Sequence, residues 1–415
     1  MRLKYKLIFE RTLSSSAFNN FFPYHYMYLS AFIHRAELSK ITNRWLSNQL
    51  EPEDPVKITR IIMYDSFAAW ETLLLFISNL LKRLTSVPAE RISVSYKKEL
   101  KDFLCNTNYP KTDRIKSLIS DYTKMPEFYY IGSPIAGYIY HDRFLNLLSI
   151  CRFKRVRRIA EKASRYASMH IHNEVNAIAQ EFSRKRTKNP HNGQMLLHDD
   201  FIKAEKLIMA RIKEKGIELP IRSVAINDIL GAKLIDNGYG EKKLESAIIE
   251  SPETKIIEKE RHSGNYNAVH YIVELKVDFD YIIKIFKKNS GYQTSIKSRL
   301  PVDRLYEDFA EFITTGADTV HVDLIFTTFD ELVESEIGRS MHENRIFRQR
   351  QDQKLYGNIS TNIEYIIEYL LAVGLSPVAR IEEIPIKIWG RYLPDTLSYQ
   401  IRKLYQMPEY SIIEK

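Results

Sequence analysis

Between Ile61 and Leu84 the chain is almost continuously apolar, yet two carboxylates, Asp65 and Glu71, stand well inside the stretch. Charges at bilayer depth are costly, so the segment is expected to be a buried core helix around which the rest of the chain folds, and no membrane span is expected. Composition supports a large packed core. Of 415 residues, 44% are hydrophobic and 27% charged, with 14 Gly and 15 Pro, which excludes fibrous, low-complexity and wholly disordered classes. Cys105 and Cys151 belong to no CxxC or Cys/His pattern, so neither a disulfide framework nor a structural zinc is expected. The first ten residues alternate charged and apolar side chains as a strand does and lack the apolar block of a secretory signal. The expected compartment is therefore the cytoplasm.

Periodicity divides the chain in two. Apolar residues at helical spacing predict helices over 24–50, 55–85, 114–123, 138–150 and 155–182. Residues 184–193, Arg-Lys-Arg-Thr-Lys-Asn-Pro-His-Asn-Gly, are polar, basic and turn-forming, and read as a linker. Beyond it a helix over 199–215 is followed by β-branched runs at 221–226, 230–235, 268–276 and 319–328, with helices over 303–313 and 329–350. A helix over 360–373, a strand over 379–387 and a helix over 395–406 close the chain. The expected fold class is α+β: a mostly α-helical basic domain over 1–190, a mixed α/β domain over 191–350, and a helix/strand extension over 351–415.

Charge follows the same division. The net charge is +9, but residues 1–200 hold 31 basic and 19 acidic side chains, whereas 201–415 hold 30 and 33. The densest basic run lies between 152 and 188, and it opens with Arg152, Lys154, Arg155, Arg157 and Arg158. Such a run either forms a solvated helix face or tracks a phosphate backbone, and these five residues are the candidate nucleic-acid contacts.

Four segments of the second half carry possible chemistry. Asp228 opens the apolar run Ile229-Leu230-Gly231-Ala232-Lys233-Leu234-Ile235, where a carboxylate beside a glycine could hold Mg²⁺ against a nucleotide phosphate. In Gly264-Asn265-Tyr266-Asn267-Ala268-Val269-His270, Tyr266 and His270 share a strand face, and the ring could stack a base. Val322-Asp323-Leu324-Ile325-Phe326-Thr327-Thr328 carries a second acid, able to complete a metal site or act as a general base. An acid-rich helix follows. Each has an ordinary structural alternative: Asp228 as a turn or cap residue, and His270 or His321 as a satisfied strand histidine.

In order and spacing the set resembles the synthetase domain of the RelA/SpoT family of alarmone synthetases over roughly residues 200–350. That family has a D-x-x-G-x-R strand, a G-Y-x-x-x-H turn and a V-E-x-Q-x-R-T strand leading into a helix. The resemblance implies a nucleotidyltransferase-like fold and transfer of pyrophosphate from ATP to the 3′-hydroxyl of a guanosine nucleotide or of a tRNA end. It implies Mg²⁺ as cofactor, held by Asp228 and Asp323, with Asp323 as ligand or base. Tyr266 would stack the acceptor base and His270 would contact acceptor phosphate or sugar. Arg211, Lys213, Lys215, Arg222 and Lys233 would hold nucleotide phosphates. The chain departs from the pattern at Asp323 for Glu, Ile325 for Gln, Thr327 for Arg and Lys233 for Arg. Asn265 separates Gly264 from Tyr266, and residues 281–299 form an insertion.

The pairs His141-Asp142 and His198-Asp199-Asp200 lack the neighbouring histidines and acidic pair of the family's hydrolase site, so no hydrolase is expected. Two other readings remain: an RNA-binding protein without catalysis, with RNA as partner through the basic run, and an assembly protein built on a degenerate nucleotidyltransferase-like scaffold.

Overall fold

A computed structural model of the chain describes residues 28–186, 198–215, 225–264, 267–300, 302–338, 357–377, 380–393 and 395–407. The strand expected over the first ten residues lies outside the described residues, and of the linker expected over 184–193 only 184–186 are described, where they end a helix. The strands are β1 (Tyr28–Leu29), β2 (Glu90–Tyr96), β3 (Pro134–His141), β4 (Leu147–Phe153), β5 (Ala225–Ile226), β6 (Leu230–Ile235), β7 (Thr254–His262), β8 (Ala268–Lys276) and β9 (Thr319–Thr327). The helices are α1 (Arg35–Leu46), α2 (Asp54–Leu84), α3 (Lys97–Asn106), α4 (Asp113–Lys124), α5 (Val156–Arg186), α6 (His198–Lys215), α7 (Gly240–Ile249) and α8 (Phe279–Lys288). They continue as α9 (Ser290–Lys297), α10 (Leu305–Ile313), α11 (Phe329–Glu336), α12 (Gly357–Val373) and α13 (Asp395–Leu404).

The fold is α+β, centred on a seven-stranded mixed sheet in the order β2-β3-β4-β6-β9-β8-β7. β6 and β9 run parallel, with Gly231 opposite Asp323, while the flanking pairs run antiparallel. Period-two alternation decides what each face carries. In β9, Val320, Val322 and Leu324 are buried on one side, and His321, Asp323 and Ile325 are half-buried on the other.

The apolar face is covered by α2, which packs on β4, β6 and β8. Leu73, Leu74, Ile77, Leu80, Leu81 and Leu84 are buried along it at helical spacing. By length and composition α2 is apolar enough to cross a membrane, but 67% of its most apolar window is buried inside the fold. A π turn at Ile61–Asp65 interrupts it. There the Asp65 carboxylate accepts the His34 backbone N–H at 2.7 Å and pairs with the ring Nδ1 at 2.9 Å. Burial raises the Asp65 pKa and His34 opposes the shift. An acid inside an apolar run is thus satisfied by a partner from a neighbouring element.

Three of the seven strands come from the first 190 residues, a region expected to be mostly helical. The helix expected over 138–150 is instead the β3–β4 hairpin. Asp142 makes its turn: Oδ1 accepts the N–H of Phe144 at 2.8 Å and of Asn146 at 2.9 Å, and Oδ2 accepts Asn146 Nδ2. The His141-Asp142 pair is thereby assigned to a turn. β4 then pairs with β6, Cys151 opposite Ala232, so residue 190 does not divide the sheet. β2 and β7 are the sheet's edges. Their charged sequences, Glu90-Arg91 and Glu258-Lys259-Glu260-Arg261, give no apolar run to read, as is usual for protected edges.

The strand expected over 379–387 does not form among the described residues 380–393. Ile384, Ile386 and Ile388 alternate and are buried, but the loop is anchored by Asn362 Nδ2, which donates to the carbonyls of Ile388 and Gly390. α12 packs along α5 and against α1 and α2, so the closing segment shares the main core through Ile363, Ile366 and Leu370.

Candidate functional site

The second face of the sheet is divided. At its β2–β3–β4 end α3, α4 and α11 close a smaller core, in which Leu100, Leu104, Ile115 and Leu118 meet Ile139, Ile150, Leu332 and Val333. Over β6, β9 and β8 the face carries polar side chains, because pairing places Lys233 beside Ile325 and Ile325 beside His270. One rung away Gly231 adjoins Asp323, and Asp323 adjoins Ile272. A Cβ on Gly231 would meet the Asp323 carbonyl oxygen at 2.8 Å, so glycine lets β6 and β9 close at the acid.

The structure brings Asp228, Asp323, His270 and Lys233 to this region. His270 Nδ1 stands 3.6 Å from Asp323 Oδ1. Asp228 sits just before β6, and its Oδ2 is 2.6 Å from both Lys154 Nζ and Lys162 Nζ. Burial alone would raise the Asp228 pKa, but the two ammonium groups outweigh it and the net shift is downward. Burial lowers the Lys154 pKa; Lys162 adds to that, while Asp228 and Asp323 oppose it. Lys154 therefore feels both acids. Its backbone N–H also donates to the Ile229 carbonyl at 2.8 Å, which locks the β4 exit to the β6 entrance.

Next to this cluster lies another. Glu336, at the end of α11, places Oε1 3.0 Å from Arg152 Nη2 and 2.9 Å from Lys233 Nζ. Burial would raise its pKa, and the two cations hold it well below the ordinary carboxylate value. His321, on the far side of Asp323 from Lys233, is a satisfied strand histidine, with Nδ1 3.2 Å from Asn227 Oδ1 and Nε2 3.2 Å from Glu274 Oε2. It pins the residue preceding Asp228.

Not all of the expected site residues are brought together. Arg152 and Lys154, expected as nucleic-acid contacts, face the acids of the sheet, and Arg158 Nη1 is 2.6 Å from Glu161 Oε2. Arg155 and Arg157 are exposed on or just before α5. Arg211 and Lys213, expected to hold nucleotide phosphates, are exposed on α6, while the cations described at Asp228 are Lys154 and Lys162. The Lys215 side chain, Arg222 and Tyr266 lie outside the described residues. Of the described neighbours, Gly264 N–H donates to Asn267 Oδ1 at 3.1 Å, and Asn267 Nδ2 donates to Glu331 Oε1 at 2.6 Å. Sequence reading gives Lys162 a place in the basic run and Glu336 a place in the acid-rich helix, but assigns neither a role in the site. The only signal for Lys162 was its place on the basic face of a helix, which also suits a solvated surface.

No group of three or more His, Cys, Asp or Glu side chains forms a metal cluster among the described residues. Yet Oδ1 of Asp228 and Oδ1 of Asp323 are buried without a hydrogen-bond partner. Two hard carboxylate donors with unfilled oxygens fit Mg²⁺, which takes one or two carboxylates and completes its shell with water and substrate phosphate.

No family model and no curated protein matches the chain. Among solved structures it is similar to a GTP pyrophosphokinase family protein from Streptococcus pneumoniae, at 13% identity and a TM-score of 0.18, over 50% of this chain and 83% of that one. So slight a likeness decides neither fold nor activity.

Proposed function

We propose that the chain is an Mg²⁺-dependent pyrophosphotransferase of RelA/SpoT type, moving pyrophosphate from ATP to the 3′-hydroxyl of a guanosine nucleotide or of a tRNA end. The observation that carries this reading is the convergence of Asp228, Asp323, His270 and Lys233 on one polar stretch of sheet, with Lys154, Lys162 and Arg152 beside them. The acceptor's 3′ oxygen forms a bond to the β-phosphorus of ATP, the bond between that phosphorus and the α–β bridging oxygen breaks, and AMP leaves. Asp323 takes the hydroxyl proton, and His270 orients the acceptor. Tyr266 stacks the acceptor base. Lys154, Lys162, Arg152 and Lys233 bind the phosphate chain and offset its charge, which is most of what phosphoryl transfer asks of a protein.

Asp228, with Asp323 as second ligand, would hold Mg²⁺, which would supply charge neutralisation on the transferred group. Lys154 and Lys162 keep Asp228 ionised. The test is incubation of the protein with labelled ATP, Mg²⁺ and, in parallel, GDP, GTP or deacylated tRNA. Label should move to one acceptor, and Asp228→Asn should lower the transfer by about 10³-fold. Absence of transfer to every acceptor would overturn the reading.

A further inference from the structure

Arg152 and Lys233 stand on the same face of neighbouring strands, where Arg152 pairs with Gly231 and Ile150 with Lys233. Two like charges so placed repel and would splay toward solvent. One oxygen of Glu336 instead draws both to within hydrogen-bonding distance of itself. Glu336 is only 8% exposed, and its helix is anchored from several sides. Lys101, fully buried on α3, donates its ammonium to the Glu336 carbonyl. Arg114 on α4 pairs with Glu334 at 2.7 Å, and the Tyr109 ring stacks on Phe329 with centroids 4.4 Å apart. Glu336 thus belongs to a rigid mount formed by α3, α4 and α11, whereas the two cations it holds belong to the sheet.

We propose that Glu336 is a positioning residue that holds Arg152 and Lys233 side by side as a receptor for the polyphosphate of the substrate nucleotide, with Lys101 fixing the helix end that carries it. The choice of polyphosphate as ligand rests on the pyrophosphotransfer reading. A guanidinium and an ammonium converging on one point match adjacent phosphoryl groups of a single chain, and pre-set cations lose less freedom on binding than mobile ones. A carboxylate that merely neutralised its partners would act in the opposite direction, because its removal would strengthen attraction for anions.

The sign of the effect is the test. Binding of inorganic tripolyphosphate is measured by calorimetry for the full chain and for Glu336→Gln and Glu336→Asp, with melting curves and with KM and kcat for ATP. Positioning predicts that both variants bind tripolyphosphate about tenfold more weakly and that KM for ATP rises more than kcat falls. Glu336→Asp keeps the charge and shortens the reach by one methylene, so it reports on placement even if Glu336→Gln fails to fold. Unchanged or tighter binding in Glu336→Asp would overturn the inference, as would a wild-type chain that binds no tripolyphosphate. Wild-type binding that Glu336→Asp weakens, without transfer to any acceptor, would sink the pyrophosphotransfer reading and leave the role of Glu336 standing.

Discussion

Two clusters on the same face of the sheet have the same composition, one carboxylate and two cations, and differ in burial. At Asp228 the acid is 28% exposed and its lysines 30% and 33%. At Glu336 the acid is 8% exposed, with Lys233 at 17% and Arg152 at 29%. On the proposed reading the first exchanges its internal cations for an incoming ion or phosphate, since its acid is open to water. The second cannot be opened without stranding a charge in a poorly polarisable interior, which is costly. On the proposed reading the more open acid holds the place of substrate, and the more buried one braces the cations that receive its phosphates.

Substitution of the two acids should separate these roles. Asp228→Asn is expected to lower transfer by about 10³-fold, the scale of losing a main electrostatic contact to the reacting group, and to leave thermal stability nearly unchanged. Glu336→Gln is expected to cost about 3 kcal/mol of stability, seen in denaturant unfolding, since it strands two partly buried cations. Equal stability losses in the two variants would erase the distinction.

Acid titration sharpens it. The Glu336 pKa is lowered on folding, so its contribution is fully present above the ordinary value of 4.5 and is lost as pH falls through the lower folded value. The difference in melting temperature between wild type and Glu336→Gln should therefore be largest near neutrality and shrink below pH 4.5. A difference that grows on acidification would contradict the ion-pair assignment.

A smaller effect is expected at Gly231. The 2.8 Å approach of a new Cβ to the Asp323 carbonyl must part β6 from β9, so Gly231→Ala should cost about 1–3 kcal/mol and depress kcat more than KM. The smallest concerns the outer basic surface. Neutralising exposed Arg155 and Arg157 together should leave transfer to GDP or GTP intact and weaken transfer to tRNA a few-fold, with a stronger effect at low salt. An equal loss with both acceptors would place these arginines in the site itself.

Much of the second half was legible from sequence. The strand expected over 230–235 is β6, that over 268–276 is β8, and that over 319–328 is β9 to within a residue. All three are apolar, β-branched runs central to the sheet, where burial on at least one face leaves a clear period-two record. β2 and β7 were not legible because edge strands are shaped by what they must not attract. The 138–150 segment misled because a short apolar run is ambiguous between helix and strand, and Asp142, which turns it, reads equally well as part of a His-Asp pair.

The sequence by itself determined the α+β class, the buried place of the 61–84 stretch and the central strands. All of these follow from local periodicity and from the cost of burying charge. Only the tertiary structure decided that β4 and α5, from the basic first half, bring Arg152, Lys154 and Lys162 to Asp228 and Glu336. That decision rests on the pairing of β4 with β6 across the intervening helices α5 and α6. Pairing across such a separation leaves no period in the sequence, because the partner that neutralises a charge can come from any part of the chain.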